Sequence, residues 1–245
     1  MYPFTRAMEP AMDAPPFPVL YEDNHLLAVV KPPTLPTMGA AKGERSVVEL
    51  SRAYIKHKYG KSGNVYLGVV SRLDALVSGV VLLARTSKAA ARLTDHFRTG
   101  RVEKTYWAIV SGRPKPSRGR YVDAIRKDDR RRRMRIARPD DPKAKQARLS
   151  YRPLARLKAG TLLEIILETG RKHQIRLQLA SRGHPVLGDR KYGSRAAFPV
   201  GIALHSRRLA LEHPVRKCRI DLTAPLPKVW EPLGDWDELT SDGLD

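Results

Sequence analysis

The chain has 245 residues and sets 46 Lys+Arg against 25 Asp+Glu, a formal net charge of +21. With 42% hydrophobic and 29% charged residues it is globular in make-up and long enough to bury a core. The longest apolar runs, 26–30 and 79–84, fall far short of the roughly 20 residues of a membrane-spanning helix, and the single cysteine, Cys218, excludes an internal disulfide framework and any multi-cysteine metal site. The first eighteen residues include Glu9 and Asp13 and do not read as a charged-then-apolar leader, so the expected location is the cytoplasm.

An excess of positive charge opposes compaction unless a polyanion is present, which makes nucleic acid the leading partner and a merely solubilising surface the alternative. The charge is uneven. Residues 231–245 hold six acids and no Lys or Arg, so the preceding 230 residues set 46 bases against 19 acids, a charge of +27. The stretch 231–245 reads as an acidic C-terminal tail, and 1–16 as a flexible N-terminal segment.

Between them, 19–21 and 26–30 form a strand–turn–strand pattern around Glu22-Asp23-Asn24, stopped by Lys31-Pro32-Pro33. Ser46 with Glu49 three residues on makes a capping box for a helix to about Tyr59, closed by Gly60. Strands are expected at 66–70 and 79–84, with a polar connection between them. Ser87 caps a helix to Arg98, closed by Gly100. The β-prone Tyr106-Trp107-Ala108-Ile109-Val110 places another strand at 104–111. Residues 114–146 are the most polar and irregular part, a basic insertion in which 126–138 holds eight Lys/Arg and two Asp. A charge run of this kind is often a solvated loop, yet four successive arginines, Arg130, Arg131, Arg132 and Arg133, also suit phosphate contact. Strands resume at 147–154 and 161–168, a helix is expected over 170–182, and strands at 202–211 and 219–222 complete the pattern. Without internal repeats or regular βα alternation this is a mixed α+β domain, strand-rich with a few helices.

The usual catalytic constellations are missing. The seven histidines show no metal-ligand spacing, and no phosphate-binding glycine loop or G-x-S-x-G elbow occurs. An enzyme built on this chain is therefore expected to work without a metal, a nucleotide or another cofactor. Three polar clusters remain. Ser71-Arg72-Leu73-Asp74-Ala75-Leu76-Val77-Ser78-Gly79 joins two strands. Phe97-Arg98-x-x-x-Val102-x-Lys104-x-Tyr106 leads a helix end into a strand. Gly170-Arg171-Lys172-His173-Gln174-Ile175-Arg176 opens a helix and is followed by Gly183-His184-Pro185-Val186-Leu187-Gly188-Asp189. Taken singly, these read as a turn with a local ion pair, a half-buried tyrosine, and either an exposed basic face or a phosphate-holding helix end.

In this order and spacing the three clusters resemble the RluA family of RNA pseudouridine synthases. The first is similar to H-R-L-D-x-x-T-S-G, the second to F-R-x-x-x-V-x-K-x-Y. The third is similar to G-R-x-H-Q-I-R-x-H-x-x-x-x-G-H-P-I-x-G-D-x-x-Y-G, ending here in G-D-R-K-Y-G. The opening V-L-Y-E-D-N-H-L-L-A-V-V-K-P-P and the late A-L-H-S-R-R-L fit as well, so the resemblance runs from about 17 to 230. It implies one catalytic domain over 17–230, with a long, bent, mostly antiparallel sheet, flanking helices and an RNA-binding cleft. The family's optional N-terminal RNA-binding module is not expected here, since only 16 residues precede Phe17.

The implied reaction is cofactor-free isomerisation of uridine in structured RNA, ribosomal or transfer, to pseudouridine. Asp74 matches the catalytic aspartate, Tyr106 the tyrosine beside the target base, and Arg176 the partner of the aspartate. Arg72 matches the arginine that takes up the space left by the flipped base. Arg171, His173, Gln174 and Ile175, together with Arg130–Arg133, are the expected RNA contacts. RNA is the expected partner, with no membrane, and the protein is expected to be a monomer. Ser71, Val77 and Gln178 depart from the family's His, Thr and His. They motivate the competing reading of an RNA-binding or ribosome-assembly protein of the same fold without turnover. A ribosomal structural protein would explain the charge but not the ordered motifs.

Overall fold

Two strands that are apolar at nearly every position set the centre of the sheet. In the computed structural model, which describes residues 15–39, 45–234 and 236, β2 (Leu26–Lys31) and β4 (Ser78–Ala84) pair antiparallel and are buried almost throughout. A strand with both faces apolar must be covered on both faces. Here Leu27, Val29, Val81 and Leu83 pack under Val47, Tyr54 and Ile55 of α1 (Val47–Lys58). Their neighbours Leu26, Ala28, Val80 and Leu82 pack under Ala89 and Leu93 of α2 (Ser87–Arg98).

The first helix starts as its sequence dictates. Ser46 Oγ accepts from Glu49 N at 3.3 Å and Glu49 Oε2 accepts from Ser46 N at 2.7 Å. The second starts one residue earlier than expected, because the cap is Thr86, whose Oγ1 accepts from Ala89 N at 3.2 Å.

The remaining strands are β1 (Val19–Glu22), β3 (Gly68–Val69), β5 (Glu103–Val110), β6 (Gly119–Asp128), β7 (Arg133–Ile136), β8 (Lys145–Leu157), β9 (Gly160–Leu167), β10 (Leu204–Glu212) and β11 (Arg219–Thr223). They join in the order β1-β2-β4-β10-β5-β9-β8-β6-β7, with β11 on β10 and β3 on β4. Among the described residues only β4 and β10 run parallel, so the mixed α+β, mostly antiparallel expectation agrees with the fold. A second core lies beyond this junction, where Trp107, Ile109, Leu162 and Leu204 pack with Ile175, Leu179 and Trp230.

Three local readings need correction. About half of the polar stretch 114–146 is sheet, in β6, β7 and the first two residues of β8: Tyr121 and Ile125 turn inward, with Asp123 between them bonded to Gln178 and Arg182, while Arg120 and Val122 face out. The expected strand at 66–70 shrinks to two residues, since β10 occupies the start of the same edge of β4. The helix expected over 170–182 is only α3 (Gln174–Ala180). Arg171 and Lys172 lie in the turn before it, and His173 precedes the helix with φ +53°. Arg171 and Lys172 therefore precede α3 rather than forming its first turn.

Residues 1–14 and most of 231–245 lie outside the described residues. Trp236 is described, and it packs on Trp230, its indole N–H donating to the Trp230 carbonyl at 2.9 Å.

The parallel junction explains a glycine. Gly79 has φ +116°, and a Cβ there would sit 2.2 Å from the Ser206 carbonyl oxygen on β10. Gly79→Ala is expected to lower unfolding free energy by about 3 kcal/mol or more, combining backbone strain with a backbone clash. Urea denaturation checks this, and a loss below about 1 kcal/mol would contradict the close approach.

Candidate active site

The β4–β10 junction delivers the loop 70–77 to the edge of a cleft, and nearly every residue of that loop is tied down. Ser71 Oγ accepts from Leu82 N at 2.9 Å. Leu73 exchanges two bonds with the Thr37 hydroxyl, at 3.1 and 2.9 Å. Val77 N donates to Asp74 O at 3.0 Å, and Ile202 N to Leu76 O at 3.2 Å. Lys31, at the end of β2 and fully buried, donates to the carbonyls of Ala75 at 2.8 Å and of Pro32 and Leu35 at 2.7 Å. All three ammonium hydrogens thus have acceptors. Burial pushes the Lys31 ammonium down to about 7, with the Asp74 charge acting against that shift.

Asp74 itself is half-buried. Its Oδ2 accepts from Arg176 Nη1 at 2.9 Å and lies 3.6 Å from His173 Nε2. Arg176, 3% exposed, projects from the first turn of α3. The rest of its guanidinium is held by Asp189, with Nε to Oδ2 at 2.6 Å and Nη2 to Oδ1 at 2.8 Å. The ring of Tyr192 lies 5.1 Å away on its face. Burial works against the Arg176 charge, but the hydrogen bonds and charge of Asp189, then those of Asp74, outweigh it and push its pKa up. A planar cation bound in this way points one N–H at Asp74 and cannot rotate.

Tyr106 comes from β5, directly across from Ser206 of β10. Burial, assisted by the Asp74 charge, pushes its hydroxyl up to about 12. The phenol is therefore neutral near pH 7. His173 goes the other way: burial is the main cause, Arg176 adds to it, and its pKa falls to about 4 despite Asp74.

The cleft is lined by Arg72, Leu73, Asp74 and Val77, by Tyr106, Leu167 and Leu204, and by Arg171 with His173–Arg176. Eight of the residues singled out in the sequence thus meet in one place. They do not all present free groups. The Gln174 amide is spent on the loop, its Oε1 accepting from Thr169 Oγ1 and Arg171 N and its Nε2 donating to Arg148 O. Ile175 is a buried wall residue, whereas Arg72 and Arg171 are exposed at the rim. Arg130–Arg133 lie elsewhere, with Arg130, Arg131 and Arg132 in the turn between β6 and β7 and Arg133 opening β7.

Lys31, Asp189 and Tyr192 are site residues that the sequence reading does not single out. The available signals are a charged residue closing an apolar strand before two prolines, and the G-D-R-K-Y-G run that ends the third motif. Among the described residues, no group of three or more His, Cys, Asp or Glu is placed to hold a metal ion, and no helix is long and apolar enough to cross a membrane.

Residues 25–181 match the family model for RNA pseudouridylate synthase. The chain belongs to the RNA pseudouridine synthases of the RluA family. It is 34% identical over 226 residues to the ribosomal large subunit pseudouridine synthase D of Zymomonas mobilis, a match covering 87% of this chain and 70% of that one. To the ribosomal large subunit pseudouridine synthase C of Rickettsia prowazekii it is 34% identical, covering 85% and 68%. Among solved structures, human RNA pseudouridylate synthase domain containing 4 superposes with a TM-score of 0.73 at 26% identity, covering 89% of this chain and 94% of that one. The synthase is thus an enzyme that isomerises uridine in RNA to pseudouridine, and nothing in its fold or relatives favours the reading without turnover.

Within the synthase, the three departures from the family motifs sit beside the carboxylate's support rather than in its contacts. Ser71 bonds the backbone of β4, and Val77 is a buried wall residue. Gln178 donates to Asp123 at 2.7 Å and to the Ala147 carbonyl at 3.3 Å, pinning α3 to β6 and β8.

Replacing Asp189 with Asn is expected to destabilise the fold by about 3 kcal/mol, because it strips a buried guanidinium of its bidentate partner. Equilibrium urea unfolding measures the loss, and an unchanged midpoint would show that Asp74 alone can hold Arg176.

Proposed function

We propose that Asp74 is the catalytic carboxylate of a cofactor-free uridine isomerisation, that Arg176 aims it, and that Tyr106 packs against the target base. The observation that carries this reading is the division of labour on Asp74. Oδ2 is taken by Arg176 and faced by His173, while Oδ1 has no partner among the described residues and is left for substrate. The reaction breaks the bond from the sugar C1′ to N1, turns the base, forms a bond from C1′ to C5, and exchanges a proton on C5 for one on N1. Nothing is added or removed overall, so the site needs a fixed carboxylate and a wall for the rotating base rather than a redox or group carrier. A tyrosine whose hydroxyl is held neutral suits the wall better than the base that takes the C5 proton.

The target must leave its stack, at a cost of a few kcal/mol. Arg72, exposed on the rim in the same loop as Asp74, is the residue proposed to occupy the gap. The RNA is proposed to be ribosomal, the substrate in the names of the Zymomonas and Rickettsia relatives, with transfer RNA as the second substrate class. The enzyme is proposed to act as a cytoplasmic monomer whose catalytic domain spans 17–230. Arg130–Arg133 pair with no acid among the described residues and sit on an edge hairpin, which suits them to backbone phosphates.

The decisive experiment incubates unmodified ribosomal RNA with wild type and with Asp74→Ala and assays pseudouridine. Product is expected from the wild type alone, and equal product from both would end the assignment of Asp74. Replacing Arg130–Arg133 with Gln is expected to weaken RNA binding and to reduce the slope of log affinity against log salt by about one unit for each phosphate no longer neutralised. Filter binding across a salt series reads this, and an unchanged slope would return the run to a solvated turn.

A further inference from the structure

Tyr192 and His173 form a chain of two hydrogen bonds and one longer polar contact between the arginine-tipped hairpin and the Asp74 carboxylate. The Met134 backbone N–H, on β7, donates to the Tyr192 hydroxyl oxygen at 3.0 Å. The same hydroxyl lies 2.8 Å from His173 Nδ1, and His173 Nε2 faces Asp74 Oδ2 at 3.6 Å. Tyr192 is 7% exposed, so its O–H needs an acceptor within the protein.

Only one proton arrangement satisfies every group. The amide of Met134 can only donate, so the phenol oxygen accepts from it, and the phenol hydrogen must then go to Nδ1. With Nδ1 accepting, a neutral His173 carries its proton on Nε2 and directs an N–H at Asp74. The opposite tautomer would give the phenol oxygen two donors and leave its own hydrogen buried without an acceptor. Burial raises the phenol pKa and lowers that of His173, which keeps both groups in the neutral forms that the chain requires.

Two further features show that this contact is built. His173 holds φ +53°, a left-handed conformation costing about 1–2 kcal/mol in a residue other than glycine. Its carbonyl is anchored by Leu177 N at 2.9 Å, so the turn that aims the ring at Tyr192 is part of the start of α3. On the other side, among the described strands β7 pairs with β6 alone, at the sheet's edge, and lies against α3. The hairpin's turn, residues 129–132, thus lies immediately before the strand whose Met134 amide reaches Tyr192.

We propose that Tyr192 is a positioning residue that transmits the seating of the β6–β7 hairpin on RNA to Asp74 by way of His173. Phosphates bound at Arg130–Arg133 hold β7 in place. The Met134 amide then holds the phenol, the phenol fixes the imidazole tautomer, and the Nε2–H narrows the directions open to the carboxylate. The inference rests on Asp74 being the catalytic group, which Asp74→Ala tests separately. If Asp74→Ala kept activity, the reading of the site would fail. The outcomes below concern the coupling alone.

In wild-type protein, ¹⁵N spectra of the imidazoles should show His173 protonated on Nε2 and bare on Nδ1. A proton on Nδ1 would overturn the proposal without any variant. Tyr192→Phe keeps the ring against His173 and Arg176 while removing the hydroxyl. With unmodified ribosomal RNA under single turnover, it should slow the saturating rate about threefold to tenfold, with RNA affinity within about twofold of wild type. It should also leave a mixture of His173 tautomers. The four-Gln hairpin variant should lose saturating rate as well as affinity, and combining it with Tyr192→Phe should add no further loss of rate. A Tyr192→Phe protein at the wild-type rate, a four-Gln protein at the wild-type saturating rate, or losses that multiply in the combination would each overturn the coupling.

Discussion

Everything at this site depends on one buried cation shared by two carboxylates. Arg176 has three N–H directions committed, two to Asp189 and one to Asp74. Burying a guanidinium is costly unless its partners are close and well aligned, and Asp189 supplies that alignment. Because Asp189 locks the plane of the guanidinium, the remaining N–H can reach Asp74 in only one direction. The carboxylate is thereby aimed by a residue that is itself aimed. A lysine at 176 would pair with Asp74 but could not transfer an orientation from Asp189 to it.

The same economy governs the loop that carries Asp74. A connection of this length would ordinarily sample many conformations, and fixing each residue costs about 1–2 kcal/mol of entropy. Here the cost is met before substrate arrives, through Ser71 to β4, Leu73 to Thr37, Ala75 to Lys31 and Leu76 to Ile202. Lys31 does this from beneath the loop, where burial favours loss of its proton and the Asp74 charge favours keeping it. Asp74 and Asp189 share the buried Arg176 cation, which lets two carboxylates stand close together at the cleft.

The motifs in the sequence identify the cleft well because they are local. Asp74, Tyr106 and Arg176 sit in runs whose residue types and spacing are distinctive, and strands such as β2 and β4 announce themselves by unbroken apolarity. What stays hidden is set by partners far away in the chain. Lys31 reads as a strand terminator until Ala75, 44 positions later, is seen to accept from it. Tyr192 reads as one letter of a closing motif until Met134 and His173 are found on either side of its hydroxyl. The stretch 114–146 reads as irregular because its charges mask the inward Tyr121 and Ile125, and an edge hairpin needs only one apolar face. The helix over 170–182 comes out shorter for a similar reason. Arg171 and Lys172 are good helix formers, but His173 takes a left-handed turn to face Tyr192, and the helix begins only after it.

The charge of the chain acquires a geometry from this arrangement. Much of it is locally compensated on the sheet, as in Arg120 with Glu168, Arg152 with Glu164 and Arg182 with Asp123. Such pairs contribute little attraction at a distance, because each basic group already faces its own acid. Arg130, Arg131, Arg132 and Arg133 are different. Without acidic partners among the described residues, they add four uncompensated charges at the hairpin tip, at one end of the chain of contacts through Met134, Tyr192 and His173. A polyanion drawn to that tip releases counterions, and the free energy gained can offset the few kcal/mol needed to lift a uridine from its stack. These four charges sit on the element that touches Tyr192, so on the proposed reading RNA held at the tip and the bracing of the Asp74 carboxylate belong to one connected piece of structure.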